Sequence, residues 1–504
     1  MQSRWILAAT ILASSMAFID GTVVNVALPF LQKELNATVI GVQWIVESYS
    51  LFLSALLLVG GSLGDRFGRR RVFSIGIIIF AIASAACGFA ANIEQLIIAR
   101  AVQGVGGALL VPGSLAIISA SFDQDHRGKA IGTWSGFSAI TTAIGPVLGG
   151  WLVEHISWRA VFFINLPLAL AVVIISFFKV PESKDEADLG PLDWLGAGAA
   201  TLGLGGLVYG LIESPRLGFS SPIVIVTLGG GVAALLFFLW NEAHAKNPMV
   251  PLHLFRSRNF SGANLLTLLL YAAIGALFFF LSLNFVQVQK YSATAAGAAL
   301  LPFIVFMFVL SRWSGGLVDR FGARLPLVIG PFIAAGGFVM FALPGVGASY
   351  LSGFLPAILV LGIGMTATVA PLTTTVMNSV PQEQAGVASG INNAVSRTAG
   401  LLAIAVFGVV MLVSFSGTLE RRLNQLSIDE GLKQNLVDQR VKLAGIEIPE
   451  NLNAGDKESV QIAIDESFIL GFRTLMLISA ALAAASGLIS WILIRSNSRA
   501  TSQH

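Results

Sequence analysis

The sequence predicts an all-α membrane protein. Of its 504 residues, 55% are hydrophobic and only 11% are charged, far from the roughly half-apolar, quarter-charged balance of soluble domains. Mean hydropathy is +0.81, and the apolar residues fall in unbroken runs about 20 residues long, the length that crosses a bilayer as a helix. Unpaired backbone groups are too costly in hydrocarbon, so only helices or closed barrels can span it. A barrel strand would alternate polar and apolar residues, and these runs do not.

The first run, from near Trp5 to about Phe30, is too long for a signal-peptide core and has no convincing cleavage site, so it is expected to remain as the first span. The N-terminal spans are expected near 6–30, 43–62, 72–91, 95–118, 130–152 and 160–179. Two more are expected near 193–212 and 221–241, and a last group near 261–286, 294–314, 325–344, 351–375, 386–412 and 469–494, fourteen in all. The basic clusters Arg66 with Arg69 to Arg71, Arg127 with Lys129, Lys179 with Lys184, Lys246, Arg256 with Arg258, and Arg320 with Arg324 fall on alternate connections. The opposite short connections hold little beyond Lys33, Arg159, Arg216 and Lys290. By the positive-inside rule, the Arg-rich side is cytoplasmic, and an even span count puts both termini there. The one long outer connection, about 414–467, carries both signs of charge, and its leucines Leu419, Leu423 and Leu426 have helical spacing. A short amphipathic helix lying on the surface is expected there.

The net charge of +3 is small for this length, and the basic residues form short topological clusters and no nucleic-acid footprint. Cys87 is the one cysteine and lies in an apolar run, which removes internal disulfides, zinc sites and Cys/His thiol catalysis and leaves a small packing residue. An internal repeat appears when Gly61-Ser-Leu-Gly-Asp65-Arg66-Phe67-Gly68-Arg69-Arg70 is set against Gly315-Gly-Leu-Val-Asp319-Arg320-Phe321-Gly322-Ala-Arg324. A weaker echo sets Gly128, Ala130 and Gly132 against Gly386, Ala388 and Gly390. Two homologous halves follow: an N-terminal six-helix bundle over 1–180, two inserted transmembrane helices and a cytoplasmic linker over 181–259, and a C-terminal six-helix bundle over 260–504.

The repeated loop resembles the signature between helices two and three of the major facilitator superfamily. Phe18-Ile-Asp20-Gly-Thr22-Val-Val-Asn25-Val-Ala-Leu-Pro29 resembles the first-helix motif of its fourteen-span drug:proton antiporter branch, the EmrB/QacA type. Arg100-Ala-Val-Gln103-Gly104-Val-Gly106-Gly107 resembles the fourth-helix motif, and Gly136 followed by Gly145-Pro146-Val-Leu-Gly149-Gly150 resembles the fifth-helix antiporter motif. Trp158 to Pro167 and Leu254 to Phe260 also read like this branch, and the resemblance runs from about residue 5 to 412 and through the last span. It implies a major facilitator fold, a site near the bilayer midplane between two rocking bundles, and export driven by the proton gradient.

Asp20 lies midway along span one, where a carboxylate is expensive unless it is protonated, paired or wetted. It is a candidate for proton coupling or substrate binding, with structural pairing to an Arg as the other reading. Arg100 sits inside span four and stays charged, so it needs a carboxylate or several carbonyls; Asp20 is its natural partner if spans one and four face each other. In the family the matching Arg is linked to proton transfer, and Asn25 and Gln103 complete the candidate set by resemblance. Glu47 lies near the outer end of span two, where it could bind a cation or a proton or could be a snorkelled surface acid. Arg397, mid-span thirteen, has the same energetic problem as Arg100 without the motif.

Gly61, Asp65, Arg66, Gly68 and Arg69, with Asp319 and Arg320, combine acids and arginines beside glycines that permit tight turns, a candidate conformational gate or a plain topology anchor. Pro146 removes a backbone donor while Gly136, Gly145, Gly149 and Gly150 allow close helix approach. The second half has no matching Gly-Pro. Phe278, Phe279, Phe280, Phe303, Phe306 and Phe308, with Met307, could line a greasy cavity or simply fill the core. No Walker sequence and no metal-ligand cluster occurs, so neither ATP, a metal nor another cofactor is expected, and the protein is not read as an enzyme. The expected function is export of small hydrophobic or cationic compounds across the inner cell membrane, with protons and lipid as the other partners and no nucleic acid. A dedicated exporter of one metabolite, toxin or lipid, a non-transporting sensor, and a need for a periplasmic adaptor stay open.

Overall fold

A computed structural model describes residues 2–122, 124–184, 192–315, 317–381 and 384–495, some side chains within helices excepted, and contains no strand among them. The N-terminal part holds α1 (Gln2–Glu34), α2 (Val39–Phe67), α3 (Arg69–Phe89), α4 (Ile93–Ser121) and α5 (Gln124–His155). A further crossing is broken at Ile164 into α6 (Ala160–Phe163) and α7 (Asn165–Lys179). An inserted pair follows, α8 (Trp194–Leu217) and α9 (Pro222–His244). The C-terminal part holds α10 (Arg258–Leu283), α11 (Ala293–Ala298), α12 (Leu301–Gly315), α13 (Leu317–Phe321), α14 (Arg324–Phe341), α15 (Leu355–Asn378), α16 (Ala385–Leu423), α17 (Glu430–Asp438) and α18 (Ala454–Leu493).

Thirteen helices among the described residues are long and apolar enough to cross a membrane, and the chain is a multi-pass membrane protein. The 32-residue α5 coincides with the fifth expected span but is not one of the thirteen, several of its side chains lying outside the described set. Side chains fix several helix starts by accepting the first free amides: Thr38 from Gly41 at 3.2 Å, Asn92 from Gln95 at 2.9 Å and Asp193 from Gly196 at 2.8 Å. The repeated loop is also a repeated turn, since Gly68 (φ 107°) and Gly322 (φ 73°) both occupy the left-handed region that favours glycine.

The chain's crossings define a loop end, carrying residues 424–453, and an Arg-rich end, carrying Arg66 to Arg71. At the loop end the two halves share one core, in which Val23, Ala27, Leu28 and Leu31 of α1 join Phe279, Phe280 and Phe285 of the C-terminal half. Nearer the Arg-rich end the N-terminal half has its own core of Ala13, Tyr49, Leu53, Phe73 and Phe80, which Ala394 of α16 touches from the other half. The inserted α8 seats Leu204, Val208 and Ile212 against Leu51 and Ala55 of α2 and Leu401 and Ala405 of α16, so it covers the seam between the halves. Its partner α9 exposes Ile223, Ile225, Val226, Leu236, Phe237 and Trp240, an apolar surface suited to lipid.

The outer connection differs from expectation. α16 runs on to Leu423 and α18 starts at Ala454, so the connection expected over 414–467 shrinks to 424–453. Leu419 and Leu423 do not form a surface helix; they prolong the apolar stripe of α16 and are fully buried, while an Arg422–Glu466 ion pair ties α16 to α18. The short helix in the connection is α17. The aromatic set also separates: Phe279 and Phe280 are core, Phe278 and Phe303 pack edge to face at 5.6 Å, and Phe308 is largely exposed.

Candidate functional site

Five helical segments converge on Asp20. The residue sits midway along α1 and is fully buried. Arg100 and Gln103, one turn apart on α4, turn the same face toward it, as residues three apart on a helix must. Arg100 pairs with Asp20 through Nη1 on Oδ2. Gln103 Nε2 donates to Asp20 Oδ1 at 2.8 Å and its own Oε1 accepts from Arg100 Nη1 at 2.7 Å. Asn165, at the start of α7 just past the break at Ile164, donates to the same Oδ1 at 3.3 Å and to Ser84 Oγ of α3 at 3.0 Å. Ser84 in turn donates to the Phe162 carbonyl at 2.8 Å, fixing the broken crossing against α3.

The arginine is held on its remaining sides as well. Its Nε donates to the Ile45 carbonyl of α2 at 3.1 Å, and its guanidinium carbon lies 4.2 Å from the centre of the Tyr49 ring. Arg100 is 1% exposed and remains charged at any accessible pH, so the pairing is what makes its burial tolerable. Three donors thus reach the two oxygens of the Asp20 carboxylate.

The other candidates separate from this cluster. Asn25 does not join it: it is partly exposed and donates to the Gly21 carbonyl of its own helix at 3.2 Å. Glu47 is not a surface acid, being 0% exposed with neither carboxylate oxygen hydrogen-bonded among the described residues. It lies on the α2 face between Gln43, which donates to the Ile404 carbonyl of α16 at 3.0 Å, and Leu51 in the core under α8. Glu47 thus stands at the seam between the halves.

At the Arg-rich end, Asp65 pairs with Arg69 at 2.8 Å, and Arg70 and Arg71 lie 3.6 and 3.7 Å from Glu182 beyond α7. At Gly68, whose φ of 107° already disfavours a side chain, a Cβ would stand 2.7 Å from the Glu182 carboxylate. None of these pairs reaches the C-terminal half. Arg66 is partly exposed, Gly61 leaves its neighbour Pro112 3.6 Å from where a Cβ would stand, and Arg320 lies 5.6 Å from the Phe321 ring centre. Gly136 and the Asp319 side chain lie outside the described residues.

The glycines of α5 divide between two neighbours. A Cβ on Gly145 would overlap Thr22 of α1, and one on Gly149 would overlap Val23. On Gly150 it would overlap the Ala293 carbonyl in the other half, and on Gly297 of α11 it would overlap the Pro146 carbonyl. Close approach of α5 and α11 is therefore backbone against backbone.

Sequence reasoning did not single out Ser84, Asn165 and Tyr49. Asn165 stood inside a family-like segment, whereas Ser84 is one small residue among many in an apolar run, and nothing local marks it.

The Major Facilitator Superfamily profile matches residues 10–405. The chain is 34% identical over 495 residues to the multidrug resistance protein Stp of Mycobacterium tuberculosis, covering 96% of this chain and 91% of that protein. It is 35% identical to the tetracenomycin C resistance and export protein of Streptomyces glaucescens, over 80% of this chain and 75% of the relative. Identity with the drug efflux pump JefA of Mycobacterium tuberculosis is 29%, over 97% and 98% of the two chains. Among solved structures, a bacterial homologue of the human lysosomal transporter Spinster aligns with a TM-score of 0.67 at 16% identity, over 98% of this chain and 97% of that one. The xylose transporter XylE of E. coli aligns with a TM-score of 0.58 at 14% identity, over 98% and 97%. At such identities these likenesses establish the fold alone.

Proposed function

The chain belongs to the major facilitator superfamily, and on that premise we propose that it is a proton-coupled antiporter that exports drugs or other small hydrophobic compounds by alternating access. The observation that carries the reading is the buried Asp20 carboxylate, held by Arg100, Gln103 and Asn165 in the middle of spanning helices. Such a group exchanges a proton for a conformational change, because the same oxygens serve either the arginine or the proton. The names of the relatives, a multidrug resistance protein and a drug efflux pump, support the cargo class. One proton moving down the membrane potential supplies about 2.3 kcal/mol per 100 mV, enough for a useful export gradient.

The proposal extends to topology. With α5 counted, the helices make the fourteen-span arrangement of the EmrB/QacA branch: six in 1–180, two in 181–259 and six in 260–504. The Arg-rich end and both termini are cytoplasmic, and the 424–453 connection faces outward across the inner membrane. The tight packing of α5 on α11 then belongs to a conformation closed to the outside. The test is a susceptibility panel in a pump-deleted bacterium together with transport in everted vesicles under an imposed pH gradient. Protection and pH-driven uptake of the same compound are expected. Uptake indifferent to the gradient would sink proton coupling, and no uptake of any compound would sink export.

A further inference from the structure

Arg100 and Arg397 both stand within spanning helices, and of the two only Arg100 has a counter-charge among the described residues. Arg100 is neutralised by Asp20. Arg397 lies twelve residues past the start of α16 at Ala385, about 18 Å along the helix at 1.5 Å per residue. It forms no ion pair and no hydrogen bond with any described residue, although it is partly buried. A guanidinium cannot shed its charge, so this position is costly unless water or a ligand supplies the missing partner.

Its surroundings show which way it faces. Ala394, one turn earlier, packs against the N-terminal core that contains Tyr49 and Leu53, and Leu401, one turn later, packs against Leu51 and Ala55 of α2. Arg397 therefore reaches from the C-terminal half toward the N-terminal half. Tyr49 lies within electrostatic reach of both Asp20 and Arg397. The Tyr49 hydroxyl is buried and has no hydrogen-bond partner among the described residues. Room exists nearby: Gly21, exposed on α1 beside Asp20, and Gly400, one turn on from Arg397, each have nothing within 4 Å of where a Cβ would stand. Neither buried acid of the N-terminal half serves Arg397: Asp20 is paired with Arg100, and Glu47 makes no ion pair among the described residues.

We infer that Arg397 is an anion-binding residue of the transport space, and that the cargo includes hydrophobic acids whose carboxylate or phenolate it receives. The inference rests on the exporter reading above. The planar fork of a guanidinium matches a carboxylate through two parallel hydrogen bonds. The apolar body of the cargo then lies along the helices that frame the space. The same fixed charge disfavours lipophilic cations, so the selectivity has a repulsive as well as an attractive side.

The probes are dansyl-labelled undecanoic acid and its methyl ester, which share one apolar body and differ in charge. Binding to the purified protein is followed by dansyl fluorescence. The acid should bind at least about tenfold more tightly than the ester, Arg397→Gln should erase that difference, and Arg397→Lys should keep most of it. Equal binding of acid and ester by the unaltered protein overturns the inference, as does an equal loss for both probes in a monodisperse Arg397→Gln protein. If Arg397→Gln fails to fold, the acid-to-ester ratio of the unaltered protein and of Arg397→Lys still decides. Everted-vesicle uptake of neutral compounds separates the two readings: uptake without acid preference removes only the role of Arg397, whereas no uptake of any compound removes the exporter reading itself.

Discussion

Gln32 on α1 donates its amide to the carbonyl of Lys442, 2.9 Å away in space and 410 residues on in sequence. The same Gln32 accepts from Gln287 at 2.9 Å, while the Lys442 ammonium donates to Asn36 at 2.9 Å. The 424–453 connection, anchored by buried Leu436 and Leu443, thus straps the C-terminal half to the loop end of the N-terminal half. Gln32→Ala removes two of these bonds, worth about 0.5–1.5 kcal/mol each at most. Trypsin cleavage at Arg440 and Lys442 should speed up about fivefold, since cleavage follows the population of the opened state. An unchanged rate would mean that the strap is held by its apolar anchors alone.

Backbone contact between α5 and α11 gives the second prediction. Gly150→Ala and Gly297→Ala each place a methyl group on an opposing carbonyl, so the halves must part at the loop end. Overpacking of this kind costs about 1–3 kcal/mol. Faster proton leak into drug-free liposomes is expected, while Gly230→Ala, which meets nothing within 4 Å, should leave the leak unchanged. Gly76 is no neutral control, because a Cβ there would stand 2.8 Å from Leu109.

Asp20→Asn keeps the shape of the side chain but leaves Arg100 facing a neutral amide. Removing one partner of a buried ion pair costs about 3–5 kcal/mol, so a lower melting temperature is expected together with loss of pH-driven efflux. The two effects are separated by Asp20→Glu, which restores the charge. If Asp20→Asn transports normally at normal expression, Asp20 has no part in coupling.

Glu47 offers the opposite case. Neither of its oxygens has a donor to lose, so Glu47→Gln should leave the melting temperature within about 2 °C, the scale of a surface change in a protein this large. Because Glu47 lies at the seam between the halves, the variant should still weaken pH-driven uptake, by about tenfold. Uptake that keeps both its rate and its pH dependence would reduce Glu47 to a packing residue.

The candidate site was half written in the local sequence. Asp20, Arg100 and Gln103 stand out because charged and amide groups in apolar runs are expensive, and Arg100 and Gln103 share a helix face by spacing alone. The repeat of Asp-Arg-Phe-Gly foretold the positive-φ turns at Gly68 and Gly322, since that φ favours glycine. Asn165 and Ser84 could not be placed, because their role depends on a helix broken at Ile164 coming against α3. Asn25 stands apart from the cluster: its motif position is family-like, and its amide donates to its own helix.

The amino-acid sequence alone establishes that the chain is helical and crosses the membrane many times. Hydrophobic run length and backbone satisfaction in lipid leave no other solution. The packing of the helices adds that Arg100 has a carboxylate partner and Arg397 has none among the described residues, and that Glu47 is sealed in a seam instead of lying at the surface. It also decided that Leu419 and Leu423 prolong α16. Periodicity fixes which residues share a face, but not which helix that face meets. In lipid, where apolar surface is tolerated on every side, that choice is made by close approach of small residues and by pairing of buried polar groups far apart in the chain.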